Sequence, residues 1–393
     1  MPSRERPGLK NVIALAFVSF FTDVSTEMIL GVLPIFVVKE LGATKIALGI
    51  MEGLAELFNY VFRLFSGLVS DRLGRRKVFV FAGYLLSGVS KPLFAFARTW
   101  LDAVVIRSLD RVGKGVRTAP RDALISQSVE ERKAGKAFGI HRSLDQMGAV
   151  LGPLLAFLIV PALGYRALFM LSFIPAFLAL VVLAFFVIDV RTPRKRAGLL
   201  EGAGAVLKGD FLLLLVALAV FNLGAFNFSF ILVRAGELGI AVASIPLVYM
   251  LINITHVCLG YPSGVLADRL GRERVLCLGI ALFALTSAML ACLSGNWFYA
   301  LLIAAVFGAY QGIYDTVSRA VVPQYVPEEL RGTAFGVYYI VLGLAFLGGI
   351  TLVGYLWDVY GRYVAFTYSF AMSILSVLLL QPLCRRRRTD APT

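Results

Sequence analysis

The chain has 393 residues, of which 59% are hydrophobic and only 16% charged, and its formal net charge is +14. With a strongly positive mean hydropathy, this composition excludes a soluble domain and describes a polytopic membrane protein. The basic excess reads as a belt against anionic lipid, so membrane lipid is expected as a partner and nucleic acid is not.

A span needs about 20 apolar residues to cross roughly 30 Å of hydrocarbon. Twelve spans are predicted, over 11–38, 46–70, 78–97, 101–126, 134–160, 167–188, 211–233, 244–267, 275–293, 297–322, 332–356 and 363–383. The first is too long for a signal-peptide core and no small-residue cleavage site follows it, so it is expected to be retained. The candidate inner segments are Arg4 to Lys10, Arg72 to Lys77, Arg132 to Lys136, Arg191 to Lys208, Arg269 to Arg274, Arg331, and Arg385 to Arg388. They hold about 23 Lys or Arg against about 5 on the other side, which predicts a multi-pass protein of the cell membrane with both termini cytoplasmic.

Charges inside spans are costly and should face protein or a water-filled cavity. Span 1 carries Asp23 and Glu27, four residues apart and so on one face. Span 2 carries the stripe Glu52, Glu56, Asn59 and Arg63, and span 3 only Lys91. Down span 4 run Arg107, Asp110, Arg111, Lys114, Arg117 and Arg121, and span 5 holds His141, Arg142 and Asp145. Spans 6, 9 and 12 carry no charge, which predicts that every third helix faces lipid. In the second half the inventory is softer: Asn222 and Asn227 in span 7, Asn253 and His256 in span 8, Gln311, Tyr314, Asp315 and Arg319 in span 10, Tyr338 and Tyr339 in span 11. Counted from the span ends, Asp23, Glu27, Glu56, Asp110, Arg111, Lys114 and Asp145 fall near the midplane, where secondary transporters keep their sites. Two adjacent carboxylates in a low dielectric make Asp23 and Glu27 the candidates for proton coupling. Glu56, Arg107, Asp110, Arg111, Lys114, Asp145, Asn222, His256 and Asp315 are the candidate substrate contacts; ion pairing that merely orients helices is the alternative for the span 4 stripe.

The chain also repeats itself. Gly67 to Lys77 (GLVSDRLGRRK) returns as Gly264 to Arg274 (GVLADRLGRER), at an offset of 268 − 71 = 197. Gly135-Lys136-Ala137-Phe138-Gly139 returns at the same offset as Gly332-Thr333-Ala334-Phe335-Gly336. Two six-span copies in tandem are therefore predicted: 1–190, a linker 191–210, 211–384, and a basic tail 385–393. In each signature the glycines permit a tight turn and close helix approach, the Asp accepts hydrogen bonds, and the Arg residues stay among headgroups. Gly67, Asp71, Arg72, Gly74 and Arg75, with Gly264, Asp268, Arg269, Gly271 and Arg272, are the expected conformational latch. Cys258, Cys277, Cys292 and Cys384 have no metal-ligand spacing and read as free thiols or packing residues.

This signature resembles the Gly-x-x-x-Asp-Arg-x-Gly-Arg-Arg/Lys pattern of the major facilitator superfamily, and with twelve spans in two halves the resemblance covers nearly the whole chain. It implies an all-α polytopic membrane protein of two pseudo-symmetric six-helix bundles around a central cavity, with alternating access by rocking. Gly148-Ala149-Val150-Leu151-Gly152-Pro153 in span 5 is similar to the Gly-x-x-x-Gly-Pro element of the family's antiporters, although Ala156-Phe157 stands where Gly-Gly usually follows. Close packing of small residues, with a kink at Pro153, is the other reading of those positions. Span 4 departs from the family too: Asp110-Arg111-Val112-Gly113-Lys114-Gly115 is more charged than the usual pattern.

The expectation is a secondary active transporter of a small organic solute, proton-coupled and exporting by antiport. The alternatives are a divalent metal or metal chelate held by Asp23, Glu27 and His256, and an organic anion on the basic stripe of span 4. A non-transporting receptor has no use for midplane carboxylates or a doubled latch. No Gly-x-Ser-x-Gly, His-Glu-x-x-His or phosphate-cradling loop marks an enzyme. No cofactor and no resident metal are expected, and the protein is read as a monomer.

Overall fold

In a computed structural model the described residues are 7–130, 133–190 and 203–389, and their regular elements are all helical. The long helices are α1 (Leu9–Leu30), α2 (Lys45–Leu73), α3 (Lys77–Ser90), α4 (Trp100–Ser128), α5 (Ala134–Leu171) and α6 (Phe173–Phe186). After them come α7 (Gly209–Gly224), α8 (Phe228–Glu237), α9 (Ile245–Leu270), α10 (Arg272–Cys292), α11 (Phe298–Ala320), α12 (Arg331–Tyr360) and α13 (Arg362–Thr389).

Among the described residues, nine helical stretches are long and apolar enough to cross a membrane. One of them, Gly135–Phe186, has 52 residues, about 78 Å at 1.5 Å per residue and so enough for two crossings. α2 and α4 are 29 residues each and long enough, but their charges keep them out of an apolar count. With these additions the twelve expected spans are accounted for.

Local breaks follow the chemistry of single residues. Gly164, at φ 78°, divides the Gly135–Phe186 stretch where spans 5 and 6 were expected to part. Pro92 has no amide to donate, and α3 tightens there into a 3₁₀ turn, Lys91–Phe96. Span 7, expected as one piece over 211–233, is two helices. α7 ends at Gly224, and Asn227 restarts the chain by accepting the Ser229 amide at 3.0 Å, which caps α8. The linker positions 191–202 lie outside the described residues. The last helix runs to Thr389, beyond the expected 383.

The helices form two compact units. The first contains 7–36 and 54–190, the second 37–53 and 203–389. In the first, α1 packs on α5 and α6, and α3 on α4, around Val12, Leu15, Val18, Val80, Leu124 and Leu183. In the second, α9 packs on α11 and α10 on α13, around an aromatic core in which Phe226 lies 4.6 Å from Phe283 and 5.3 Å from Phe366. α2 is divided: its turns up to Gly53 belong to the second unit, where a Cβ on Gly49 would stand 2.6 Å from the Ile350 carbonyl of α12. Small residues at such crossings let backbones approach where lipid offers no hydrophobic drive to pack.

The 197-residue repeat is built into these contacts. A Cβ on Gly115 of α4 would lie 2.6 Å from the Asn59 carbonyl of α2, and one on Gly312 of α11 would lie 2.5 Å from the His256 carbonyl of α9. The offsets are 312 − 115 = 197 and 256 − 59 = 197. Ser66 donates to the Gly115 carbonyl at 3.1 Å and Ser263 to that of Gly312 at 3.5 Å, again one offset apart.

Candidate functional site

In the first unit, α1 presents Asp23 and Glu27 one turn apart. Asp145 on α5, Glu27 and Lys114 are the charges that bear on the Asp23 carboxyl. Carboxylate oxygens only accept, so two carboxyl groups that meet can hydrogen-bond only by sharing a proton. What brings α5 this close is its pair of small residues. A Cβ on Gly148 would stand 3.0 Å from the Asp23 Cβ, and one on Gly152 would stand 2.7 Å from the Glu27 Cβ. Pro153 follows directly, inside the same helix. The Gly-x-x-x-Gly-Pro element and the paired acids are thus two faces of one helix contact.

Asp23, Glu27, Glu56 and Lys114 keep partial exposure, whereas the groups behind them are buried. Lys114 feels both Asp23 and Glu56, and Glu56 accepts from the Asn59 amide at 3.2 Å. Asp145 also pairs with Arg142, one turn earlier on its own helix, at 3.3 Å. Arg107, Asp110 and Arg111 form a buried cluster, of which Arg111 also bears on Lys114. Ser87 donates to one Asp110 oxygen at 2.6 Å, while the Arg107 and Arg111 guanidiniums lie 3.3 and 3.8 Å from the other. α4 is positioned for this by a capping box: Thr99 accepts the Asp102 amide, and the Asp102 carboxylate accepts the Thr99 amide at 2.8 Å.

The second unit holds Asn222, His256 and Asp315. His256 Nε2 lies 3.8 Å from Asp315, and Asn222 donates to the Leu218 carbonyl at 2.8 Å and the Tyr314 hydroxyl at 3.3 Å. Tyr314 in turn packs 5.0 Å from Phe221 and 5.6 Å from Tyr310, so this half is an aromatic wall with a few polar points. Glu52 also belongs here. It is 3% exposed and accepts from Asn227 at 3.0 Å and from Ser229 at 3.1 Å, at the break between α7 and α8. Sequence reasoning placed Glu52 in one stripe with Glu56; its partners Asn227 and Ser229 lie on a different helix, and no spacing in the sequence signals that pairing. Among the described residues, no group of three or more His, Cys, Asp or Glu side chains is disposed to hold a metal ion.

The two loop signatures share their turn but not their ion pairs. Gly74 and Gly271 both take positive φ, 65° and 95°. In the first copy Asp71 pairs with Arg76 at 2.7 Å, and Asp189 accepts the amides of Arg76 and Lys77 at 3.3 and 3.1 Å. In the second, Asp268 faces Arg272 at 3.5 Å, and Arg272 donates to the Ala320 carbonyl at 2.6 Å. Glu273, which matches Arg76 at the repeat offset, is 1% exposed and accepts from the Tyr325 hydroxyl at 2.6 Å. Gly67 and Gly264 face Ala119 and the Thr316 methyl, with 3.3 and 3.6 Å left for a Cβ. Arg72, Arg75 and Arg269 are exposed. Arg76, expected among the headgroups with the other signature arginines, is instead buried against Asp71, and Asp189 was not singled out from the sequence.

A sequence profile described as Major Facilitator Superfamily matches residues 15–221 and again 212–393. An MFS-type transporter of Methanocaldococcus jannaschii is 34% identical over 384 residues, which cover 96% of this chain and 95% of that protein. The multidrug resistance protein MdtG of Proteus mirabilis is 25% identical over 341 residues, 81% of this chain and 80% of its own. Among solved structures, the nucleoside transporter NupG is similar in fold, with a TM-score of 0.81 over 95% of this chain and 98% of its own at 13% identity.

Proposed function

The chain belongs to the major facilitator superfamily and is a multi-pass membrane transporter of small molecules, and on that premise we propose that it exports a small organic solute by proton-coupled antiport through alternating access. The observation that carries the reading is the gathering of the acids Asp23, Glu27 and Asp145, with the Gly148 and Gly152 contact fixing α5 against both acids of α1. The similarity to MdtG supports efflux as the direction.

The energetics suit a switch. Removing a proton shared by Asp23 and Asp145 sets two like charges against each other, a repulsion on the order of 4 kcal/mol for neighbouring unit charges at an effective dielectric of 20. A full swing of a two-state equilibrium needs about 5.5 kcal/mol of differential free energy, so one proton and one solute together suffice. In this reading Asp23 and Glu27 exchange the proton with Asp145 as its partner. Asn222, His256 and Asp315 are the polar candidates of the second unit, and in the first unit Glu56 and Lys114 contact the solute. Arg107, Asp110 and Arg111 set the field behind them. The loop pairs Asp71–Arg76 and Asp268–Arg272 act as latches. The protein is placed as a monomer in the cell membrane, with both termini on the basic, cytoplasmic side.

An organic anion is the second reading, favoured by the partly exposed Lys114 backed by Arg111. A divalent metal has less support, because His256 is paired with Asp315 and no three ligating side chains gather among the described residues. Proteoliposomes with an imposed pH gradient test the proposal against tetraphenylphosphonium, benzoate and manganous ion. Gradient-driven accumulation of an organic solute, abolished by a protonophore, is expected. Movement of manganous ion alone, or uptake indifferent to the gradient, contradicts it.

A further inference from the structure

Lys91, the one charge of the third span, closes α3 and is 1% exposed. Among the described residues nothing hydrogen-bonds its Nζ. On the facing helix α4, Arg117 is 4% exposed and its Nε and Nη1 are likewise without a hydrogen-bond partner among the described residues. Its guanidinium lies 4.5 Å over the Tyr84 ring. After Asp110, Arg117 is the charged group that bears most strongly on the Lys91 amine, followed by Asp23 and Arg111.

Asp110 is the opposing charge that bears most strongly on Lys91, but it is one carboxylate among the four cations Lys91, Arg107, Arg111 and Arg117. Both its oxygens are engaged by Ser87, Arg107 and Arg111. The backbones that carry both cations are fixed against each other, because α3 and α4 are pinned where Gly83 meets Gly113. A Cβ on Gly83 would stand 2.6 Å from the Gly113 carbonyl and 2.7 Å from the Arg117 amide. Buried donors without acceptors call for a bound water or ion, and a buried excess of positive charge favours the ion, since an uncompensated charge is the costlier defect.

We infer that the α3–α4 interface of the first unit binds a small monovalent anion between the Lys91 ammonium and the Arg117 guanidinium. The burial of both groups favours a small ligand, a halide or a single carboxylate group. The shared chemistry is one negative charge with an unshared acceptor, supplied either by a free inorganic anion or by the carboxylate of a solute. The readout of this site needs no transport.

The test uses the purified full chain in nanodiscs, unfolded thermally while bromide or benzoate replaces gluconate at constant ionic strength. A saturable rise in Tm with bromide, at least tenfold weaker in Lys91→Met and Arg117→Gln, assigns the site to an inorganic anion. A rise with benzoate alone, lost in the same variants, assigns it to a solute carboxylate. If the variants do not fold, an anomalous bromine peak beside Lys91 in wild-type crystals supports the site, and its absence overturns it. Equal Tm in all three anions, or a rise that both variants retain in full, overturns it as well.

Discussion

Gly148 of α5 faces Asp23 of α1 across a gap with no room for a methyl group: a Cβ there would meet the Asp23 Cβ at 3.0 Å and the Phe20 carbonyl at 2.7 Å. Gly148→Ala and Gly152→Ala should each force the helices apart, costing about 1–3 kcal/mol and reducing gradient-driven transport. Gly139, in the same helix, has open space around its Cβ position. Gly139→Ala should be neutral or stabilising by up to about 1 kcal/mol. Thermal unfolding of the three variants, with transport measured alongside, checks the contrast; equal effects would remove the close-contact argument.

The loop pair of the first signature is asymmetric in exposure. The Asp71 side chain is 43% exposed, whereas that of Arg76 is buried. Removing Asp71 strands a buried guanidinium, while removing Arg76 leaves a carboxylate that water can reach. Asp71→Ala should therefore lower stability by about 3 kcal/mol and Arg76→Met by about 1 kcal/mol or less. Chemical unfolding of both variants measures the difference.

Glu52 joins the α7–α8 break through Asn227 and Ser229. A double-mutant cycle of Glu52→Gln with Ser229→Ala should show a coupling of about 0.5–3 kcal/mol. Asn227→Ala should cost more than Ser229→Ala, because it also removes the α8 cap, worth about 1 kcal/mol. Additive effects in the cycle would mean that Glu52 does not hold the break.

The tandem architecture was legible because it is written in residues whose spacing carries geometry. Gly115 and Gly312 repeat at 197 residues, and each lies against a backbone carbonyl, of Asn59 and of His256, also 197 apart. The pairing of Asp23 with Asp145 was less legible. Both were singled out as intramembrane acids, but which helix faces meet is decided by Gly148 and Gly152, and helix periodicity gives a face without its partner. The break of span 7 escaped because Gly224 to Asn227 contains no proline, and its cause is a side chain competing for a backbone amide. The role of Arg76 was hidden because its partner choice depends on burial: the matched position in the second copy is Glu273, which binds Tyr325 instead.

The central claim is that a proton held between Asp23 and Asp145 is exchanged for solute, and by linkage a solute that disfavours the protonated state must expel that proton on binding. The direct measurement is proton release into weakly buffered solution when the solute found in the proteoliposome panel is added to the purified protein. Wild type should release about one proton per solute bound, and Asp23→Asn should bind the solute and release none. Equal release from Asp23→Asn, or binding to wild type with no release at all, would contradict the account.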